Sequence, residues 1–353
     1  MLWFLILAAG LWLLGHLTSA PARARLGMIG LLYLAIVLAL LVLPDGNPLR
    51  QTLGGSLGEW LLVGGLVALI WLYRIGLRAL RARIPAGGAP QTSPGTFSTT
   101  ELDRYSRQIV LREIGGPGQK KLKAAKVLVI GAGGLGSPVL QYLAAAGVGT
   151  IGVIDDDFVD NSNLQRQIIH IDARIGMPKV FSAEAAMRAQ NPAVEVRPYN
   201  RRLAEATAAA LFADYDLILD GTDNFDTRFL VNRTATALKK PLIIGALSQW
   251  EGQISTFDPA NGTPCYRCIF PEAPAPGLAP SCAEAGVLGP LPGVVGAMMA
   301  VETIKEITGA GEGLRGRMLI YDALFGESRV ILLKPRADCP VCGEVSAESS
   351  SQP

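Results

Sequence analysis

The chain has 353 residues, half of them hydrophobic, and its 32 Lys and Arg nearly balance its 30 Asp and Glu. A mean hydropathy of +0.32 is too high for a chain that faces water throughout. Its length and its five cysteines exclude a disordered chain and a small disulfide scaffold. The basic excess is confined to residues 1–84, which carry seven Arg and two acids, and this argues against a nucleic-acid-binding protein.

Three apolar segments open the chain. They comprise residues 2–18, 26–43 and 60–77. At about 1.5 Å per residue, each helix would nearly cross a hydrocarbon core about 30 Å thick. The sequence therefore predicts a three-helix transmembrane anchor over residues 1–84. The alternative is a cleaved signal peptide at the first segment, but no basic residue precedes that segment, and Pro21 follows the small residues where cleavage would occur.

Arginines indicate the orientation of this anchor in a lipid bilayer. They lie between the first two segments (Arg23, Arg25) and after the third (Arg74 to Arg83), whereas the other loop has a net charge of −1. The positive-inside rule then predicts an N-terminus outside a bacterial-type inner membrane and a cytoplasmic remainder. Residues 85–99 are rich in Pro, Gly, Ser and Thr, a composition typical of a flexible linker.

The remaining chain begins with a strand that leads into a glycine-rich turn. Residues 126–130 are continuously apolar, residues 131–136 read GAGGLG, and a helical segment follows. In that context the turn predicts backbone amides and a helix N-terminus facing a phosphate. A second apolar strand, 150–154, ends in three acids, and Asp155 suits the hydroxyls of a ribose.

Strands and helices alternate beyond this point. Strands are predicted at 193–197, 216–220, 242–246 and 252–257, and helices near 180–190, 203–212, 225–238 and 294–308. This order predicts an α/β fold with a doubly wound, mostly parallel, Rossmann-like sheet and a C-terminal antiparallel extension. An NAD-dependent oxidoreductase fits these features as well as any other nucleotide-binding enzyme.

Charged residues favour a triphosphate over a dinucleotide. Arg166 and Lys179 would supply cations for a ligand with about four negative charges, twice the number on a dinucleotide. Asp223 follows an apolar strand and would hold the Mg²⁺ that accompanies a triphosphate. Each residue alone also fits a solvated charge or a helix cap, but together they favour ATP.

Ten ordered motifs resemble those of the E1-like adenylyltransferases. They are RYSRQI (104–109), GAGGLG (131–136), DDD (155–157), SNLQRQ (162–167), GMPK (176–179), DGTDN (220–224), EGQ (251–253), CYRC (265–268), SCAEAGV (281–287) and CPVC (339–342). The resemblance covers residues 100–345. It is greatest to molybdopterin-synthase adenylyltransferase, with the thiamine sulfur-carrier adenylyltransferase next.

The resemblance implies a reaction. MgATP would adenylate the C-terminal glycine carboxylate of a ubiquitin-like sulfur carrier ending in Gly-Gly, with release of pyrophosphate. The pathway implied is molybdenum cofactor biosynthesis, with the small subunit of molybdopterin synthase as carrier. The thiamine-pathway carrier is the alternative acceptor. A non-catalytic carrier-binding module and an NAD-dependent oxidoreductase are alternatives of other classes.

The resemblance also implies the site residues. The ATP-binding set is Gly131, Gly133, Gly134, Gly136, Asp155, Asp157, Ser162, Asn163, Leu164, Gln165, Arg166, Lys179, Asp223 and Asn224. The catalytic set is Arg107, Asn163, Arg166, Lys179, Asp223 and Cys282, with Asp223 as the Mg²⁺ ligand. In relatives the arginine equivalent to Arg107 reaches into the partner's site, which implies a homodimer.

Four of the five cysteines form two C-x-x-C pairs. The pairs are Cys265 with Cys268 and Cys339 with Cys342. In a cytoplasmic chain this pattern predicts a structural Zn²⁺ site with four thiolates rather than disulfides.

The fifth cysteine, Cys282, lies in a stretch rich in Pro and Gly. The resemblance implies a thiol that accepts the activated glycine, and the alternative is a small buried residue. Some relatives carry a rhodanese domain, whereas only eleven residues follow Cys342 here, so we expect a separate sulfur donor. Residues 346–353 are predicted to be a disordered tail.

Overall fold

The computed structural model forms two compact units, Met1–Gly88 and Ala89–Pro353. It describes residues 2–18, 21–44, 47–83, 97–275 and 285–343. Cys282, the predicted linker as far as residue 96 and the predicted tail 346–353 lie outside the described residues.

The described part of the first unit is helical. Its helices are α1 (Leu2–Leu17), α2 (Ala22–Val42), α3 (Pro48–Leu53) and α4 (Leu57–Arg83). Among the described residues, two segments are long and apolar enough to cross a membrane, Ala24–Val42 and Leu57–Gly76. They are 11% and 6% buried, so the protein itself covers little of their surface.

The prediction of three spans is therefore wrong in number for the described residues. Helix α1 has 16 residues, which at about 1.5 Å per residue reach about 24 Å, short of a hydrocarbon core about 30 Å thick. Aromatic side chains pack the helices together: the rings of Phe4 and Trp60 meet edge to face with centroids 5.3 Å apart. The Tyr33 hydroxyl donates to the carbonyl of Trp60 at 2.5 Å, so the polar end of this tyrosine is satisfied within an apolar helix pair.

Eight strands in the described part of the second unit form one sheet. They are β1 (Lys126–Ile130), β2 (Thr150–Asp155), β3 (Glu195–Asn200), β4 (Leu217–Asp220), β5 (Leu242–Leu247), β6 (Glu251–Phe257), β7 (Arg317–Asp322) and β8 (Glu327–Leu332). Their spatial order is β3-β2-β1-β4-β5-β6-β7-β8. Strands β1 to β5 pair in parallel and β5 to β8 pair antiparallel, which confirms the predicted mostly parallel sheet with an antiparallel extension.

Helices pack on both faces of this sheet. They are α5 (Thr99–Ile109), α6 (Gly115–Ala124), α7 (Gly136–Ala146), α8 (Lys179–Gln190), α9 (Glu205–Ala213), α10 (Phe225–Ala237), α11 (Tyr266–Ile269) and α12 (Pro290–Thr308). Successive residues of β1 point to opposite faces, so Val127 and Val129 join α7, α8 and α12 in one core while Leu128 and Ile130 join α9 and α10 in the other. Helix α12 begins four residues before the predicted boundary because proline is tolerated in a first helical turn.

The strand order reverses at β1, which has β2 on one side and β4 on the other. Ile130 pairs with Ile154 of β2 and with Asp220 of β4, so the chain leaves all three strands at the same edge of the sheet. A reversal of this kind opens a crevice at the carboxyl ends of the strands. The glycine turn, residues 131–136, lies in that crevice, and Gly131 has a φ of +93°, which favours glycine.

Gly136 is packed too closely for a side chain. A Cβ there would lie 2.0 Å from the carbonyl oxygen of Gly131. We expect Gly136→Ala to lower the midpoint of thermal unfolding by more than about 5 °C, because the backbone of the turn must move. Differential scanning calorimetry measures the midpoint.

Gly133→Ala is the control in the same turn. Its Cβ would lie 3.6 Å from Gln167 Nε2, an ordinary contact, so we expect a change below about 2 °C. Equal losses in the two variants would contradict the packing of α7 against the turn.

Candidate active site

The carboxyl ends of β1, β2, β4 and β5 open into a cavity of about 580 Å³, a volume suited to a nucleotide-sized ligand. Most residues of the predicted ATP site lie at its wall. These are Gly131, Gly133, Gly134, Asp155, Asp157, Arg166, Lys179, Asp223 and Asn224. Parallel pairing therefore brings together segments that are up to about ninety residues apart in the chain.

Other predicted residues lie behind this wall or away from it. Ser162, Asn163, Leu164 and Gln165 form the short turn that precedes Arg166. Asn163 Oδ1 accepts a hydrogen bond from Arg166 Nη2 at 2.7 Å, and the Ser162 carbonyl accepts from Nη1 at 3.2 Å. This turn thus orients the guanidinium of Arg166.

Two further predicted residues do not line the cavity. Gly136 starts α7, and Arg107 is exposed on α5 outside the cavity wall.

Asp155 shapes the glycine turn from the end of β2. Its Oδ2 accepts from the amide of Ala132 at 2.7 Å, and its Oδ1 accepts from the amide of Asp157 at 2.8 Å. Each carboxylate oxygen has a second lone pair, so Asp155 is still able to accept from a ribose hydroxyl. The sequence predicted the ribose contact alone, whereas the structure adds the support of the turn.

Lys179 is a buried cation at the cavity wall. Its side chain is 5% exposed, and Nζ lies 2.7 Å from Oδ2 of Asp157, whose side chain is 67% exposed. Burial of an ammonium group is tolerated when it is paired and hydrogen-bonded. An ammonium group has three N–H donors, so Lys179 keeps donors for a phosphate after it has bonded Asp157.

The loop after β4 lies beside the glycine turn and puts Asp223 at the cavity wall. Asp220 is fully buried beneath it, and its Oδ1 accepts from the amide and the hydroxyl of Thr222 at 2.9 and 2.7 Å. Burial raises the pKa of the Asp220 carboxyl. Asp223 itself is exposed at the wall, and a carboxylate there is the oxygen ligand that Mg²⁺ prefers.

The predicted site set lacks several polar residues of this wall, among them Gln167, Arg201, Arg202 and Arg228. The two arginines after β3 were missed because that strand runs to Asn200, three residues beyond the predicted end. Arg228 Nη2 donates to the carbonyls of Thr222 at 2.6 Å and Gly245 at 3.2 Å, which ties the ends of β4 and β5 together. Gln167 closes the SNLQRQ motif, and the motif was the available signal for it.

The four paired cysteines form one buried cluster. Their Sγ atoms lie 3.9 Å apart between Cys265 and Cys268, 3.6 Å between Cys265 and Cys339, and 3.4 Å between Cys268 and Cys342. A tetrahedral ion with Zn–S bonds of ~2.3 Å has sulfur atoms about 3.8 Å apart, so the donor set and its spacing fit Zn²⁺.

Four thiolates would share this buried cluster only if a bound cation neutralised their charge. The hydrogen-bonded Cys268 thiol and burial raise the pKa of Cys265, because neighbouring thiols oppose the formation of a second thiolate. Cys265 caps α11, whose first residue, Tyr266, lies at the cavity wall. An ion here would therefore support the far side of the cavity.

A switch-point cavity lined by a glycine turn, cations and an acidic loop is typical of a nucleotide-binding enzyme and agrees with the E1-like adenylyltransferase class that the sequence motifs resemble. Residues 105–341 match the sequence profile of the ThiF family, and the chain belongs to that family. It is thus a nucleotidyltransferase, as the resemblance implied.

Individual relatives agree with this assignment. A sulfur carrier protein adenylyltransferase of Thermus thermophilus is 49% identical over 252 residues, which cover 70% of this chain and 93% of that protein. The SAMP-activating enzyme E1 of Haloferax volcanii is 47% identical over 254 residues, which cover 72% and 93%. The fold is shared with E. coli MccB, at a TM-score of 0.62 and 24% identity over 70% of this chain and 74% of that one.

Proposed function

We propose that this enzyme uses MgATP to adenylate the C-terminal glycine carboxylate of a small ubiquitin-like sulfur carrier. The observation that carries the proposal is a single cavity where Arg166 and Lys179 line the wall together with the glycine turn and Asp223. Names of relatives support the carrier as acceptor, since one is a sulfur carrier protein adenylyltransferase. Among carriers, we propose the small subunit of molybdopterin synthase, with the thiamine-pathway carrier as the alternative.

The reaction needs charge and alignment more than proton transfer. A carboxylate oxygen attacks the α-phosphorus, the bond from that phosphorus to the bridging oxygen breaks, and pyrophosphate leaves with the electron pair. The carboxylate is already ionised at neutral pH, so no general base is required. Repulsion between the carboxylate and the phosphate oxygens is lowered by Lys179 and Arg166, which also align the triphosphate. Mg²⁺ held by Asp223 would neutralise further phosphate charge.

The carrier's globular part needs a surface beside the cavity. Asp322 of β7 pairs with Glu251, a residue of the cavity wall, so the turn between β7 and β8 lies at the same edge of the sheet. That turn exposes Leu324 and Phe325, at 55% and 75%. Adjacent exposed apolar side chains are suited to a protein partner, which supports docking of the carrier here with its tail in the cavity.

A homodimer would complete the site. Arg107 is exposed and lies outside the cavity wall of its own chain. Around it, Leu102, Val110 and Leu111 are also exposed, at 48%, 82% and 51%. We propose that this apolar surface contacts a second copy and that Arg107 enters the partner's cavity.

Further parts of the proposal concern the cysteines and the membrane. The four clustered cysteines would hold a structural Zn²⁺, since four thiolates leave no open position for a substrate. The role of Cys282 as acyl acceptor stays a prediction, as does a separate sulfur donor.

The arginines support an orientation in the membrane. Two spans, at α2 and α4, would put Arg23, Arg25 and the arginines after Arg74 on the same side of the bilayer. By the positive-inside rule this side is the cytoplasm, and the catalytic unit would lie there too. With these two spans alone, the N-terminus would lie on that same side, in contrast to the predicted outside N-terminus.

The exchange of labelled pyrophosphate into ATP tests the reaction. We expect the full chain in detergent to catalyse exchange only with a carrier that ends in Gly-Gly, and Lys179→Ala to slow it more than about 100-fold, because a buried cation at the triphosphate is lost. Lys120→Ala, an exposed lysine outside the cavity wall, is the control and should exchange normally. Wild-type exchange by Lys179→Ala would remove this residue from the mechanism, and binding of the carrier without exchange would indicate a non-catalytic module.

Mixed dimers test the shared site. Arg107→Ala and Lys179→Ala are each expected to be inactive, whereas an equal mixture that has exchanged subunits should recover about a quarter of wild-type activity. Half of the dimers then contain both variants, and each of those has one site with Lys179 and the partner's arginine intact. No recovery after confirmed subunit exchange would place Arg107 in its own chain's site, and wild-type activity of Arg107→Ala alone would remove it from catalysis.

Metal analysis tests the cysteine cluster. We expect one zinc per chain by mass spectrometry of the purified protein, and none in Cys268→Ser, which would also unfold at a lower temperature because a four-thiolate site stabilises the fold. Cys282→Ser keeps all four ligands and should retain the metal. Equal zinc in the two variants would contradict the assigned ligands.

A further inference from the structure

His170 is a buried imidazole that takes no part in the proposed chemistry. It is 5% exposed and lies between the glycine turn and α8. Nε2 is 2.9 Å from the carbonyl oxygen of Ala132, and Nδ1 is 2.9 Å from Oγ of Ser182. A carbonyl oxygen only accepts, so Nε2 carries the hydrogen and the neutral ring accepts from the Ser182 hydroxyl through Nδ1.

The surroundings keep this ring neutral. Burial lowers the pKa of His170, and Lys179 and Arg174 act in the same direction, whereas the hydrogen bond to the Ala132 carbonyl and the charge of Asp155 oppose them. The ring is therefore neutral at neutral pH, and its two hydrogen-bond partners place the hydrogen on Nε2. A single donor is thus directed at the glycine turn.

Ala132 is fully buried in the glycine turn, and side chains hold both its amide and its carbonyl. The amide of Ala132 donates to Asp155 at 2.7 Å, and its carbonyl accepts from His170. The glycines around it have no side chains that could restrain them, and Gly131 has the positive φ described above. These two side chains therefore fix the Ala132 peptide groups of the turn, while the carbonyl of Ile154 and the Ser137 hydroxyl hold Gly131 and Gly133.

The same ring joins the turn to a second phosphate-binding element. Ser182 lies on α8, one helical turn after Lys179, and its carbonyl accepts from Arg174 Nη1 at 2.9 Å. The imidazole thus connects the backbone of the glycine turn to the helix that begins with the buried lysine. The distance between the turn's amides and the ammonium group is held by this connection.

We infer that His170 is a positioning residue that sets the geometry of the glycine turn relative to Lys179 and thereby determines the affinity for the triphosphate of ATP. The inference rests on the proposed function, since it assumes that the cavity binds MgATP. It predicts that loss of His170 affects phosphate binding selectively. A histidine that only stabilised the fold would affect all ligands of the cavity alike.

Calorimetric titrations of the full chain in detergent with MgATP and with adenosine separate the two roles. We expect His170→Leu to raise the Kd for MgATP about tenfold, the size of effect expected for one buried hydrogen bond, and the Kd for adenosine less than twofold. His170→Gln places an N–H donor within reach of the same carbonyl and should recover most of the loss.

Gln119→Leu is the matched control. Gln119 is also fully buried, and its Nε2 donates to the carbonyl of Ala146 at 2.8 Å, outside the cavity wall. The substitution Gln119→Leu removes the same kind of hydrogen bond and should leave the Kd for MgATP and the Kd for adenosine unchanged.

Each outcome of the titrations has one meaning. Equal weakening of MgATP and adenosine by His170→Leu, or no weakening, would overturn the inference. If His170→Leu does not fold, Ser182→Ala, which removes the partner of Nδ1, should weaken MgATP about threefold and spare adenosine, and unchanged MgATP binding in it would overturn the inference. Failure of the wild-type protein to bind MgATP would instead overturn the proposed function.

Discussion

The close packing of the glycine turn against the first residue of α7 is the constraint on which the nucleotide site depends. Gly136 leaves no room for a Cβ against the carbonyl of Gly131, so the helix begins directly beneath the turn. Backbone amides and a helix N-terminus then face the same cavity, where they attract phosphate. Asp155 and His170 hold Ala132 from both sides, so the turn is set before any ligand arrives.

The two predicted cations of the cavity each have a side-chain partner and still have N–H donors for a ligand. The buried Lys179 is paired with the exposed Asp157, and Arg166 is held by Asn163. These partners keep long, flexible cations in place without using all of their N–H donors. In the proposed reaction, a triphosphate would meet cations that are already oriented, which would lower the entropy lost on binding.

The cysteine cluster supports the opposite wall of the same cavity. It joins Cys339 and Cys342, which follow the last strand, to α11, and the amide of Tyr266 in α11 donates to Asn232 Oδ1 of α10 at 2.9 Å. Helix α10 begins next to Asp223 and Asn224, which lie at the wall. The segment after the last strand is therefore connected, through α11 and α10, to the residues that would hold Mg²⁺.

The sequence by itself determined the fold class, the glycine turn, the two cations Arg166 and Lys179 and the cysteine pairs. Each of these features depends on a local pattern: an apolar run, the spacing of glycines, a short motif or the spacing of ligands. The sequence did not reveal β7 or β8, the two arginines after β3, or the number of spans, since α1 has only 16 residues. Tertiary structure alone decided that Asp155 and His170 converge on one alanine and that Lys179 is paired with Asp157. Those contacts join residues that are up to 38 positions apart, and only the parallel pairing of strands and the packing of α8 bring them within hydrogen-bonding distance.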